Sequence, residues 1–204
     1  MTASTKAGRP TGSTGQAEVF GEKELKQVLK IIEIGNHPER NNAIVIISNY
    51  LGLRAKEIAS LKIGDVYDGN NIKKTLRLIA EYTKGSKHRD VSLENKVVIS
   101  ALSTYINARS ETESINIQAP LFKSQKGTAF SPNAMARVLK VIYTSAGFPN
   151  ASSHSGRRSL ITKLAYAGID VNSIRQIAGH SSISTTQLYI DDNPHKMADI
   201  LKAI

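Results

Sequence analysis

The sequence predicts a mainly α-helical domain with one small three-stranded antiparallel sheet. Three observations predict it. Apolar residues recur at helical spacing, as in Leu25, Val28, Leu29 and Ile32, and again in Val97, Val98, Ala101, Leu102 and Tyr105. Between Lys62 and Leu93 the pattern changes, and Leu76, Leu78 and Ala80 alternate with Arg77, Ile79 and Glu81. Helix punctuation then resumes, with Ser131-Pro132 as a start and Gly147 as a stop.

The elements follow in order. Met1–Ala17 is Thr, Ser, Gly and Ala with a few charges and no apolar period, so residues 1–20 are expected to be a flexible tail and residues 21–204 the folded domain. A helix begins near Phe20 and breaks at Asn36-His37-Pro38, leaving His37 in a loop. Arg40–Leu51 is a second helix, stopped by Gly52, and Arg54–Leu61 a short third with Ile58 and Leu61 inward. Val66-Tyr67, Ile72–Thr83 and His88–Leu93 read as three strands. Asp68–Asn71 and the basic Lys84–Lys87 are the turns between them. Asn95–Ala108 is helical, Ser110–Ala119 a polar loop and Leu121-Phe122 a short buried segment. Helices follow from Ser131 to Ala146, at Gly156–Ala167, Val171–Ile177 and about Ser184–Ile190. A last one, Pro194–Ile204, carries Met197, Ile200 and Leu201 as a stripe.

Composition narrows the function. The chain has 204 residues, enough for one sizeable core, and 27 Lys and Arg against 17 Asp and Glu, a net charge of +10. A fold this basic, with a pI near 9.8, points to a polyanionic partner, nucleic acid above all. The absence of cysteine excludes disulfides, thiolate nucleophiles and Cys-ligated zinc. No apolar run reaches spanning length and no signal core opens the chain, so a soluble, cytoplasmic protein is expected. Aromatic residues are sparse, which disfavours base stacking on a broad platform.

The chemistry gathers in His154–Ile190. His154 and Arg157 are three apart at a helix start and share a face. His180 lies 23 residues after Arg157, and Tyr189 nine residues further, across a run rich in Ser and Thr. A helical tyrosine is ordinarily a core residue, but so polar a neighbourhood suits a surface that meets substrate. An attacking phenol needs a proton acceptor and a cationic surround. Arginine forks match two phosphate oxygens at once, and fixed cations stabilise the charge that phosphoryl transfer spreads over them. Arg54, at a helix start, is the candidate second arginine. Lys84, at the tip of the hairpin, is the candidate general acid for a leaving alkoxide, with Lys87 its rival.

These segments resemble the tyrosine recombinase (phage integrase) family. "YLGLRAKEIASLKIGDV" is similar to its first arginine box, "YTKGSKHRDVSL" to its catalytic-lysine hairpin, and "HSGRRSLITKLAYAGIDVNSIRQIAGHSSISTTQLYI" to its second box. The resemblance runs from about residue 21 to 190 and implies the fold of the family's catalytic domain. It implies that Arg54, Arg157 and His180 hold the scissile phosphate and that Lys84 protonates the 5′ oxygen. His154 would assist proton removal from the nucleophile Tyr189, and Glu57 would support the site. Lys56, Lys87, Arg89 and Arg158 would contact DNA. The implied product is a 3′-phosphotyrosine with a free 5′ hydroxyl, made without metal or cofactor. The implied partners are double-stranded DNA bearing a recombination site, a homotetramer formed on that DNA, and an accessory bending or clamp protein.

The chain departs from the family pattern in places. Ser155-Gly156 stands where Asp-Leu or Ser-Leu is frequent, losing a core leucine, and Arg158 replaces a frequent histidine. Little precedes the first box, as in short single-domain members such as the fimbrial-switch invertases, so weak, salt-sensitive DNA binding is expected. Residues 191–204 would pack on their own domain or be exchanged between protomers. Two other functions fit the same features: relaxation of supercoils in the manner of a type IB topoisomerase, and DNA-binding regulation without catalysis. The filled catalytic positions disfavour regulation, and the close match of the second box disfavours relaxation.

Overall fold

The computed structural model describes residues 17–79 and 88–190, with the backbone alone at 188–190. Its helices are α1 (Glu22–Glu33), α2 (Pro38–Tyr50), α3 (Ala55–Ser60), α4 (Ile63–Val66), α5 (Lys96–Ser110), α6 (Pro132–Ser145), α7 (Ser155–Tyr166), α8 (Val171–Ala178) and α9 (Ile183–Ile190). Strands β1 (Thr75–Leu78) and β2 (Arg89–Ser92) pair antiparallel, with Leu78 opposite Arg89. The mainly α fold class with a small antiparallel sheet is borne out. No described helix is long and apolar enough to cross a membrane.

Helix α2 is the centre. Ala43 to Asn49 are all buried, which no amphipathic surface helix permits, and α1, α3, α5, α6 and α7 pack around it. Pro38 opens α2 at its first turn, and Gly52 follows it in the left-handed conformation (φ +62°). The main core joins α1 to α6 to Leu76 and Leu78 of β1, with Phe122 stacked on Tyr105. Leu121 and Phe122 are buried, as their sequence setting suggested. A second, smaller cluster of Ile161, Ala165, Ile174 and Ala178 joins α7 to α8.

One expectation needs correction. The sheet has two strands among the described residues, where three were expected. The expected first strand is replaced by α4 and one isolated bridge, Tyr67 to Ile72. The Asp65 carboxylate accepts from the Lys62 amide at 2.7 Å, which caps a single helical turn over Ile63–Val66. Asp68 then accepts from the amides of Asn70 and Asn71, closing the next turn too tightly for a ladder. The end of the expected second strand lies in residues 80–87, outside the described residues, as do the terminal helix at 194–204 and residues 1–16.

Ala17–Phe20, the end of the stretch expected to be tail, runs along α7. The Phe20 amide donates to Ser159 Oγ at 2.7 Å, and the Phe20 ring packs on Tyr143 and Phe148.

Candidate active site

The site is built around the C-terminal end of α8. The last carbonyls of a helix lack intrahelical donors and carry its negative pole. Gly179 ends α8 in the left-handed conformation (φ +62°), and its amide and that of His180 return to carbonyls of the last turn. Two of the remaining carbonyls accept from side chains. Arg157 Nη2 donates to Ala178 O, and Arg54 Nη2 donates to Gly179 O at 3.1 Å. Two arginines far apart in sequence thus meet on successive peptide groups immediately before His180.

Each arginine is fixed further. Arg157 is buried on the first turn of α7, 4% exposed, and Nη1 donates to Gly52 O at 2.7 Å. Gly156 lets α7 approach α2: a Cβ there would lie 2.5 Å from Ser48 Oγ and 2.8 Å from Asn49 Nδ2. The missing leucine therefore corresponds to a close helix contact, and the contact brings Arg157 to Gly52. Arg54 precedes α3. Its amide donates to Glu57 Oε2 at 2.8 Å and its Nη1 to Glu57 Oε1 at 2.9 Å. Glu57 is fully buried, whereas the Arg54 side chain is about a quarter exposed.

The histidines lie in the field of these cations. His180 is buried, and its Nδ1 is 2.9 Å from Thr186 Oγ1, which ties it to the first turn of α9. Burial first, then the charges of Arg157, Arg54 and Arg89, push its pKa down to about 4. His154 stands exposed at the head of α7, and burial of part of its ring with the charges of Arg157 and Arg54 lowers its pKa as well. Lys140 fastens the segment before it, donating to the carbonyls of Pro149 and Ala151. Both rings are neutral at neutral pH.

The structure thus brings together Arg54, Glu57, His154, Arg157 and His180. Tyr189 lies on α9, one turn beyond Thr186, with its side chain outside the described residues, and Lys84 and Lys87 fall outside them altogether. Lys56 is exposed on the first turn of α3. Arg158 is half-buried, and its Nη1 donates to Ala17 O at 2.8 Å. Arg89 is held on Glu57, with Nη1 to Oε1 at 2.9 Å and Nη2 to Oε2 at 3.0 Å. Sequence reasoning missed Thr186 as the partner of His180. Its only signal was a place six residues on, within the Ser/Thr run.

The profile of the phage integrase family matches residues 18–196, which span every element from α1 to α9. The chain belongs to that family. It is 30% identical over 175 residues to tyrosine recombinase XerD of Rickettsia prowazekii (strain Madrid E), covering 81% of this chain and 56% of the relative. It is 34% identical over 166 residues to a tyrosine recombinase of Agathobacter rectalis, covering 79% and 51%. The chain spans about half the length of the curated relatives it matches. Among solved structures it superposes on a XerA recombinase with a TM-score of 0.72 at 25% identity, over 91% of this chain and 65% of that one. It superposes on XerH bound to a palindromic difH substrate after cleavage with a TM-score of 0.70 at 24% identity, over 90% and 51%. The fold is that of the integrase catalytic domain, as the motifs implied.

Proposed function

We propose that this chain is the catalytic domain of a site-specific DNA recombinase that breaks and rejoins strands through a 3′-phosphotyrosine. The observation that carries this reading is the meeting of Arg54 and Arg157 on the Ala178 and Gly179 carbonyls beside His180. Two guanidiniums braced on one turn form a rigid cationic frame, and a phosphodiester that turns pentavalent gains charge such a frame stabilises. His180 completes it as a neutral donor. In this reading the Thr186 hydroxyl, 2.9 Å from Nδ1, is assigned as the donor, which leaves the ring proton on Nε2 for a phosphate oxygen.

In the first step the Tyr189 oxygen attacks phosphorus. Its proton passes towards His154, whose lowered pKa keeps it an acceptor at neutral pH. The bond to the 5′ oxygen breaks, and Lys84 protonates that oxygen. The 3′-phosphotyrosine conserves the ester, so a 5′ hydroxyl from a second duplex reverses the step without an external energy source. DNA with a recombination site is the substrate, and exchange between duplexes requires several protomers on it, four in the simplest synapse. The XerH structure in complex with difH DNA supports DNA as the partner class.

The test uses a pool of duplexes with randomised arms, each nicked just past the reacting phosphate so that the cleaved fragment diffuses away. The wild-type protein at low salt forms a denaturant-resistant protein–DNA adduct, and Tyr189→Phe forms none. Absence of adduct from the wild-type protein, or its persistence in Tyr189→Phe, overturns the proposal. Sequencing the captured strands gives the site.

A further inference from the structure

The guanidinium of Arg89 does not face solvent. Its side chain is 11% exposed, and it takes both oxygens of Glu57 in a two-pronged pair. That carboxylate already serves Arg54 twice, through the Arg54 amide and Nη1. One negative charge is therefore shared by two positive ones. The other side of Arg89 lies flush on the turn that both phosphate-site arginines use. A Cβ on Gly179 would stand 2.5 Å from Arg89 Nη1 and 2.9 Å from Arg89 Cδ, so the Arg89 side chain as placed lies directly against this glycine, whose φ of +62° also favours glycine. Arg89 also opens β2, the strand that returns from the segment holding Lys84.

We propose that Arg89 is a positioning residue that acts as the counter-charge of Glu57, so that Arg54 keeps its positive charge for phosphate. The argument is one of balance. With Arg89 present, Glu57 and the two arginines sum to one positive charge, and Glu57 is braced from both sides. Without Arg89, the buried Glu57 has Arg54 alone, the pair sums to zero, and Arg54 is drawn onto the carboxylate. A buried carboxylate is costly unless paired, so Arg54 would be held there firmly. The phosphate site would then lose a positive charge without any change in a residue that touches phosphate. This rests on the recombinase reading for its catalytic consequence, but the charge balance can be measured without DNA.

The test compares the wild-type chain with Arg89→Gln, Arg89→Gln/Glu57→Gln and Arg89→Lys. The first measurement is the titration of the His180 imidazole by NMR in the free protein. Arg89→Gln removes a positive charge near the ring and raises its pKa. The double variant removes one charge of each sign and brings it back towards the wild-type value, and Arg89→Lys leaves it close to wild type. The second measurement is the rate of adduct formation on the captured duplexes. Arg89→Gln slows it at least tenfold, and adding Glu57→Gln recovers much of that loss. A purely structural Arg89 predicts the opposite, since the double variant then loses two buried contacts and does worse. The proposal is overturned if Arg89→Gln is folded and the added Glu57→Gln restores neither the titration nor the rate. If Arg89→Gln does not fold, Arg89→Lys decides, and a His180 titration that rises in this charge-conserving variant overturns it. A wild-type chain that forms no adduct sinks the recombinase reading and leaves the titration to decide the role of Arg89.

Discussion

Two residues in the second box make opposite demands on side-chain size and charge. Gly156 is buried where α7 crosses α2, with Ser48 and Asn49 too near to admit a Cβ. Restoring the family's frequent leucine by Gly156→Leu therefore overpacks the crossing and should cost about 1–3 kcal/mol, read as a lower urea midpoint at constant m. A variant as stable as the wild type would mean that α2 and α7 separate freely. His180 carries the charge argument. Its folded pKa, about 4, lies below the ordinary 6.5, so between these values the unfolded chain binds a proton that the native chain does not. Stability is present above about pH 6.5 and is lost as pH falls towards 4, and His154 adds to it with the same sign. Urea midpoints measured from pH 7 to 4.5 should fall more steeply for the wild type than for His180→Asn, and parallel curves would refute the assignment. Motif spacing made Arg54, His154, Arg157 and His180 legible, because each has a chemistry that few residues share. The roles of Gly156, Thr186 and Arg89 were not legible, because they depend on which helices and turns come within a few ångström of one another.

At the level of elements, the long helices were readable for the same reason that they are stable. Each has an apolar face, or in α2 an apolar circumference, and each has a distinct start or stop such as Ser131-Pro132 or Gly52. Helix α4 was not readable, since a four-residue turn held by one carboxylate has no period to detect. The elements also differ in how firmly they are held. Helices α1 to α6 share the main core, whereas α7 joins α8 through the four-residue cluster around Ile174, and α9 is tied by the His180–Thr186 hydrogen bond. Local stability follows buried apolar contact, so α8 and α9 should open before the rest. Hydrogen exchange should show the slowest amides in α2 and α5 and faster ones at 171–190. Ile174→Ala, with about 2–5 kcal/mol of cavity cost, should speed exchange there far more than in α2. Uniform acceleration across the chain would show instead that the two clusters unfold as one. An α9 that opens early would suit the nucleophilic role proposed for Tyr189, which has to reach a phosphate and later release it.

Across the whole molecule, charge bears on how the proposed DNA partner would be met. The net charge of +10 draws any duplex, but the cations do not act alike. Arg89 is committed to Glu57, and Arg109 to Glu113 and the carbonyls of Pro120 and Leu121, so net charge overstates what phosphates can feel. Each phosphate that a cation neutralises releases condensed counterions, and the logarithm of affinity falls with that of salt by about 0.9 per contact. Arg54 and Arg157 in the frame, with Lys56, Lys84 and Lys87, suggest a slope of about −4.5, from about five contacts. Fluorescence anisotropy with a labelled duplex of arbitrary sequence should then show affinity falling about five hundredfold between 50 and 200 mM salt. Arg89→Gln should steepen nothing and flatten the slope by at most about one, because its effect reaches DNA through Arg54 alone. A slope shallower than about −2 would mean that the basic residues lie off the DNA path, and that this face of α3 and α7 is not where the duplex docks.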